Sequence, residues 1–261
     1  IRNTKVYYNI EGEDKKFNLL RLIEEKKEEG ENQQNNEKNE NNQGEKREED
    51  NNENEGDKDK DKPKSITPEE QFDLLIERIW DAKDLVDGAK LRESLVSWMK
   101  EKKGKVEKQF PTNIPPLSIK ELLMAKEISP IILGGFTSEK GEKISGLADF
   151  VTVWSSGKIN ISTASQPVIR SLHKDITEEM AKEIEDYSKE KGADGDTQVF
   201  KEVADLKKIS GISEASNPIF PKIEKLISVN SNYFTITATA TCGRITKKMR
   251  EIGRASCRER V

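Results

Sequence analysis

Tyr233-Phe-Thr-Ile-Thr-Ala-Thr-Ala-Thr-Cys242 is the stretch that decides the fold. Phe234, Ile236, Ala238, Ala240 and Cys242 alternate with Tyr233, Thr235, Thr237, Thr239 and Thr241, a period of two that predicts a strand with one apolar and one hydroxyl face. A lone strand is not stable in water, so it must join a sheet. Gly243-Arg244 reads as a turn and Ile245-Thr-Lys-Lys-Met249 as a returning strand. A further strand candidate, Val6-Tyr-Tyr-Asn-Ile10, lies at the other end of the chain, followed by the turn-like Glu11-Gly-Glu-Asp14 and a short element in Phe17–Ile23. The sheet is therefore expected to be closed by segments far apart in sequence.

Between these strand regions the pattern is helical. Thr67-Pro-Glu-Glu70 supplies an N-cap, a proline at the first helical position and a glutamate three residues after the cap. Phe72, Leu75, Ile76, Ile79 and Trp80 then recur at helical spacing. Leu91, Leu95, Trp98 and Met99 predict a second helix stopping near Gly104, and Pro111–Pro116 a linker or turn. Ser118-Ile-Lys-Glu121 is another capping box, opening a short helix that ends before Ser129-Pro130. Phe150–Trp154 and Ile159–Ile161 are strand-like. Three helices follow: one from the box Thr163-Ala-Ser-Gln166 with Pro167, one through Ile176, Met180, Ile184 and Tyr187 to Gly192, and one through Phe200, Val203, Leu206 and Ile209 to Gly211. The class is α+β. Trp80, Trp98, Trp154, Phe234 and Ile236 are the candidate packing or interface residues.

Composition needs correcting for two segments. The 261 residues are 36% charged and 33% hydrophobic, but Glu24–Lys62 holds 16 acids, 8 bases, 9 Asn, 3 Gln and 3 Gly, with no aliphatic or aromatic side chain. Such a run cannot offset its chain entropy by burial and is expected to be disordered. It carries the acidity: the whole chain is at −4, the run at −8. The end, from Ile252 to Val261, resembles a translated sequencing adapter and is expected to cut the last strand short. Without both segments, hydrophobic residues rise to about 39% and, with glycine, to near the ~45% of globular chains. The predicted organisation is 1–23 strand region, 24–66 low-complexity insert, 67–155 first helical region with a following strand, 156–227 helix-hairpin-helix-like subdomain, 228–251 C-terminal strands and 252–261 suspected adapter.

The chemistry is sparse. Asp57-Lys-Asp59-Lys-Asp61 imitates a calcium loop, but Lys62 stands where glycine and Pro68 where glutamate are required. Asp194-Gly-Asp196 is a polar turn. His173, the single histidine, has no nucleophile or metal partner at useful spacing. Phosphate-binding glycine loops, the G-x-S-x-G elbow and H-E-x-x-H are missing from the sequence, and no catalytic residue is assigned. The chain is expected not to be an enzyme. With Cys257 in the suspect tail, Cys242 reads as a lone small hydrophobe, and no metal ligands are assigned. No apolar run spans a bilayer. The chain opens on Ile1 and passes directly into strand, so it is expected to lack its true N-terminus.

Ile159-Asn-Ile-Ser-Thr-Ala164 with the following helices resembles the helix-hairpin-helix modules of DNA-binding proteins. In those modules a Gly-hydrophobic-Gly turn offers backbone N–H groups to phosphate. Here the equivalent turn, His173-Lys-Asp-Ile176, has no glycine and places Asp175 where phosphate would sit. DNA binding is thus the alternative function, and nucleic acid is not expected as a partner.

The motif Asn160, Ser162, Thr163, Ala164, with its preceding strand and following helices, also resembles the general secretion pathway protein K family, minor pseudopilins of type II secretion. The order of parts is similar too: Phe17-Asn-Leu, Leu95-Val-Ser-Trp98, Leu117–Leu123, the strand at Phe150–Trp154, the Asn-Ile-Ser-Thr-Ala motif and Ser231-Asn-Tyr-Phe-Thr-Ile236. The resemblance implies a pilin-like sheet whose N-terminal helix is missing from this fragment, with a large inserted all-helical region containing a helix-hairpin-helix or SAM-like subdomain. It implies a structural role at the tip of the pseudopilus and in its assembly, for export across the outer membrane. The implied partners are other minor pseudopilins, the inner-membrane assembly platform and secreted substrates. The implied location is the periplasm, anchored by an inner-membrane helix. Ser162 replaces the family's second Asn, and Met99-Lys-Glu-Lys-Lys103 replaces an acidic stretch. No calcium site of the family is carried over, and no cofactor is expected.

Overall fold

A computed structural model describes residues 4–24, 65–80, 86–109, 118–189, 200–213 and 218–255. Nearly all of the Glu24–Lys62 run, the linker at 111–116, Gly192, Asp194-Gly-Asp196 and residues 256–261 lie outside these. In chain order the elements are β1 (Thr4–Gly12), β2 (Phe17–Asn18), α1 (Pro68–Trp80), α2 (Gly88–Gln109), α3 (Pro130–Gly134), β3 (Phe136–Thr137), β4 (Lys143–Ile144), β5 (Val151–Thr152) and β6 (Ile159–Asn160). After them come α4 (Gln166–Arg170), α5 (Glu178–Tyr187), α6 (Phe220–Ile223), β7 (Ile227–Ser228), β8 (Tyr233–Cys242) and β9 (Ile245–Arg254). Short 3-10 segments fill several of the gaps, including Glu13–Lys15, Leu19–Leu22, Ile119–Met124, Leu147–Asp149 and Val203–Lys208. The mixture is α+β, as the sequence predicts.

β8 is the centre of a three-stranded antiparallel sheet in the order β1-β8-β9. β1 runs against it from Thr4↔Cys242 to Gly12↔Phe234, and β9 returns through the two-residue Gly243-Arg244 turn with Cys242 opposite Ile245. The two ends of the chain thus share one sheet. Elsewhere, β2 pairs with β5 and β6 with β7 as short parallel ladders. The second ladder joins Ile159 to Ile227 and Asn160 to Ser228, bringing the two ends of the intervening helical stretch together.

The core belongs to the helices and these small ladders. Phe17, Phe72, Leu75, Leu91, Leu95, Leu122 and Leu147 are fully buried, as are Ile159, Ile161, Ile169 and Leu206. Each such side chain contributes about 1.5–3 kcal/mol by leaving water. The phenyl rings of Phe17 and Phe72 meet at 5.8 Å between centroids, joining the N-terminal segment to α1. The box that opens α1 is formed: Glu70 N donates to Thr67 Oγ1 at 3.2 Å, and Thr67 N donates to Glu70 Oε2 at 2.9 Å. The Ser118/Glu121 box also forms, although the turn it opens is a 3-10 helix.

Several expectations are corrected. α2 continues five residues past Gly104, because one glycine costs only ~1 kcal/mol inside a run of strong helix formers. The strand expected at Phe150–Trp154 is two residues long. The Thr163/Gln166 box does not form; Ser165 is the cap of α4, and Gln166 Nε2 donates instead to Glu185 Oε2 at 2.7 Å. The stretch through Val203 and Leu206 winds as 3-10 rather than α. β9 is not cut short at Ile252 but pairs with β8 as far as Arg254. Alternation alone does not say which face of β8 turns inward. Thr235, on the hydroxyl face, is buried, whereas Ile236 is exposed.

Candidate functional site

The sheet meets the helical body at one carboxylate. Asp14, fully buried in the turn after β1, accepts four hydrogen bonds. Its Oδ1 takes the Ser156 N–H and hydroxyl, both at 2.7 Å, and its Oδ2 takes the N–H of Asn232 at 2.6 Å and of Tyr233 at 3.0 Å. One side chain therefore fixes the end of β1, the loop before β6 and the start of β8. Beside it, Glu13 accepts from the Thr235 hydroxyl and lies 3.8 Å from Lys16 Nζ and 3.6 Å from an Arg250 nitrogen. Burial holds the Lys16 ammonium below the ordinary lysine range, and Glu13 partly restores it.

The motif residues sit one layer further in. Asn160 is buried at the end of β6; its Nδ2 donates to Ser231 Oγ at 2.9 Å, and its Oδ1 accepts from Ser162 N at 3.0 Å. This is an Asx turn that also ties down the loop entering β8. Ala164 is buried and Thr163 is exposed, while the buried Ser162 hydroxyl has no hydrogen-bond partner among the described residues. Asn160→Ala removes both bonds and is expected to cost about 1–3 kcal/mol in urea unfolding, whereas Asn160→Asp keeps the Ser162 acceptor and costs less. Equal losses for the two variants would mean that the Ser162 bond contributes nothing.

On its outer face the sheet is open. The cross-strand register places Val6, Ala240 and Lys247 in one row, Tyr8, Ala238 and Met249 in the next, and Ile10, Ile236 and Glu251 in a third. Val6, Tyr8, Ile10, Ile236, Ile245 and Met249 are between 45% and 76% exposed. Exposed apolar side chains thus adjoin one another across β1 and β8, with Lys247 and Glu251 closing two of the three rows on β9. The face holds Phe234, half-buried, and Ile236, so these two expected interface residues come together. The tryptophans do not join them. Trp80 is in the core, and Trp98 is partly buried with Lys102 Nζ 5.4 Å from its ring centre. Trp154 lines an inner groove of about 910 Å³ between the other face of the sheet and the segments at 118–134 and 148–154. Sequence alternation reveals that one face of β8 is apolar, not that it turns outward, and it gives no sign of Asp14, whose partners lie in remote loops.

The turn at His173–Ile176, equivalent to the phosphate-binding turn of helix-hairpin-helix modules, is internally engaged. Asp175 N donates to His173 Nδ1 at 3.3 Å and Ile176 N to His173 O at 3.1 Å. His173 is buried, and desolvation, helped by Lys222, keeps its imidazole below the usual histidine pKa. Among the described residues, no group of three His, Cys, Asp or Glu side chains is arranged to hold a metal ion, and no helix is long and apolar enough to cross a membrane.

No protein-family model and no curated protein matches the sequence. Three chains of solved structures match in fold. One is a chain of the crystal structure of the GspK-GspI-GspJ complex from the enterotoxigenic Escherichia coli type 2 secretion system, at a TM-score of 0.54 and 14% identity. The match covers 97% of this chain and 75% of that one, and it shows a pseudopilin-like fold.

Proposed function

We propose that this chain is the periplasmic part of a minor pseudopilin, a non-enzymatic, cofactor-free subunit at the tip of a type II secretion pseudopilus. The helical stretch between β6 and β7 serves in this proposal as the inserted subdomain. An N-terminal helix anchors the protein in the inner membrane, and the other minor pseudopilins, the assembly platform and secreted substrates are its partners.

One observation carries the proposal: the apolar outer face of β1-β8-β9 has nothing over it among the described residues. Strands lie ~4.8 Å apart, so three of them offer a strip about as wide as one helix. An amphipathic helix laid across Tyr8, Ala238 and Met249 buries that strip. The fold likeness to a chain of a minor-pseudopilin complex supports the same reading, as does the order of sequence motifs.

The test begins with the coding sequence upstream of Ile1. A hydrophobic helix of ~20 residues is expected there, preceded by a basic leader and followed by an amphipathic continuation. In the extended protein, peroxide oxidation of Met249 should slow markedly relative to the 261-residue chain, because the helix covers its thioether. The extended protein should also co-elute with the other minor pseudopilins encoded in the same genome. A cytoplasmic start upstream, or unchanged oxidation of Met249, overturns the proposal.

A further inference from the structure

Among the described residues nothing pairs with the outer edges of β1 and β9, and the two edges differ in a way that the role above does not use. β9 presents Lys247, Lys248, Arg250 and Arg254 against the single acid Glu251, all exposed. Edge charges of one sign block pairing with another strand. β1 has no such protection. From Thr4 to Glu11 every residue is exposed, although the strand is paired with β8 along its full length. It contains neither proline nor bulge, and its only charges are Lys5 and Glu11.

Those two charges stand symmetrically about Tyr8. If a second β1 approaches antiparallel with Tyr8 opposite Tyr8, Lys5 faces Glu11 of the other copy, Val6 faces Ile10, and Tyr7 faces Asn9. Opposite charges meet at both ends, and like surfaces meet between them. The register also preserves the faces, since directly opposed residues of an antiparallel pair share a side. Val6, Tyr8 and Ile10 of both copies then extend the outer apolar face without interruption. A shift by one residue would set Tyr8 against a residue of opposite facing, and a shift by two would keep the faces but part Lys5 from Glu11, so the charges select the register centred on Tyr8. Glu11 already accepts from Lys15 at 2.9 Å and from Asn9 at 2.6 Å, but a carboxylate has about four acceptor positions and can take a further ammonium. Lys5 has no ion-pair partner among the described residues.

We infer that the partner of the β1 edge is a second copy of this chain, joined by antiparallel β1–β1 pairing about a two-fold axis at Tyr8 into a continuous six-stranded sheet. Edge pairing buries little surface, so the dimer is weak and concentration-dependent.

Sedimentation of the 261-residue chain across about 10–300 µM should show a monomer–dimer equilibrium. Lys5→Glu and Glu11→Lys each place like charges opposite one another twice, and each should weaken self-association by about tenfold or more. Mixed in equal amounts, the two variants should pair with each other, because the first carries carboxylates at both ends of the strand and the second carries ammonium groups at both. Met249→Asp, on the outer face but away from the edge, should leave the dimer intact. In a Cys242→Ser, Cys257→Ser background, Tyr8→Cys should oxidise to a cross-linked dimer, whereas Val6→Cys, opposite Ile10, should not. A monomer throughout, a dimer insensitive to both charge reversals, variants that fail to pair when mixed, or a dimer lost only in Met249→Asp overturns the inference.

Discussion

Replacing Asp14 by alanine is expected to lower stability by about 3–5 kcal/mol, among the largest single-residue losses in this fold. The substitution removes the shared acceptor of four donors from Ser156, Asn232 and Tyr233, in part-buried bonds around the fully buried Asp14. Each unsatisfied buried donor carries a desolvation cost of ~1–3 kcal/mol, reduced where the loops relax toward water. Asn232 precedes β8 and Tyr233 begins it, and β8 carries both other strands, so the loss extends to the register of the whole sheet. Asp14→Asn separates shape from chemistry. It keeps the volume but turns one of the two accepting oxygens into a donor aimed at donors, and should cost about 2–3 kcal/mol. For a domain of this size the alanine variant should melt on the order of 10 °C lower. Hydrogen exchange gives a local check. The amides of Ser156, Asn232 and Tyr233 should lose protection in both variants, while that of Leu75 in α1 falls only with global stability. A shift of less than about 1 kcal/mol in either variant would show that water replaces the carboxylate at no cost.

How much of this was legible beforehand follows from the range of the interactions. Features set by neighbours in sequence are readable: the alternation of β8, the Thr67/Glu70 box and the Gly243-Arg244 turn depend on residues within one or two turns of each other. Features set by competition are not. Gln166 is correctly spaced to cap Thr163, but Glu185 of the next helix offers its carboxylate, and a charge-assisted bond is the stronger one. The faces of β8 are a subtler case. Alternation shows that one face is apolar, and ordinary experience assigns that face to the body of the protein. Here Glu13 and Asp14 follow β1 directly and sit beneath the sheet, so the hydroxyl face turns inward to reach Glu13, and the apolar side is left outside. The exposed apolar face thus follows from the placement of two buried acids. Asp14 itself is invisible to sequence reading because its partners are 142 to 219 residues away and, apart from the Ser156 hydroxyl, are backbone groups that any residue supplies.

The second large effect is expected at a pair of glycines that sequence reading passes over. Gly135 ends α3 with φ of 74° and ψ of −177°, a conformation open essentially to glycine alone. The chain then makes the β3–β4 hairpin, pairing Phe136 with Ile144, and returns so that Gly146 lies against it. A Cβ built on Gly146 would stand 2.2 Å from Gly135 N and 2.5 Å from both Gly134 C and Leu133 O; one built on Gly135 would stand 2.2 Å from Ile144 O. Every one of these neighbours is backbone, so no side-chain rotation relieves the overlap. Two main chains must separate, and with them Leu133 and the fully buried Leu147, which flank the contact. Gly146→Ala should therefore cost about 2–4 kcal/mol, within the range of overpacking where little can yield, and Gly135→Ala at least as much because it adds an unfavourable φ. Gly134 supplies the control. It is the last residue of α3, nothing lies within 4 Å of its would-be Cβ, and alanine there should be neutral or stabilising by up to ~1 kcal/mol. The comparison is made by urea midpoints at constant m-value, so that denatured-state effects do not enter. Because Leu133 and Gly134 wall the inner groove, Gly146→Ala should also alter the environment of Trp154 across it, readable in tryptophan fluorescence of the native state. Equal midpoints for Gly134→Ala and Gly146→Ala would mean that the two main chains do not touch in solution.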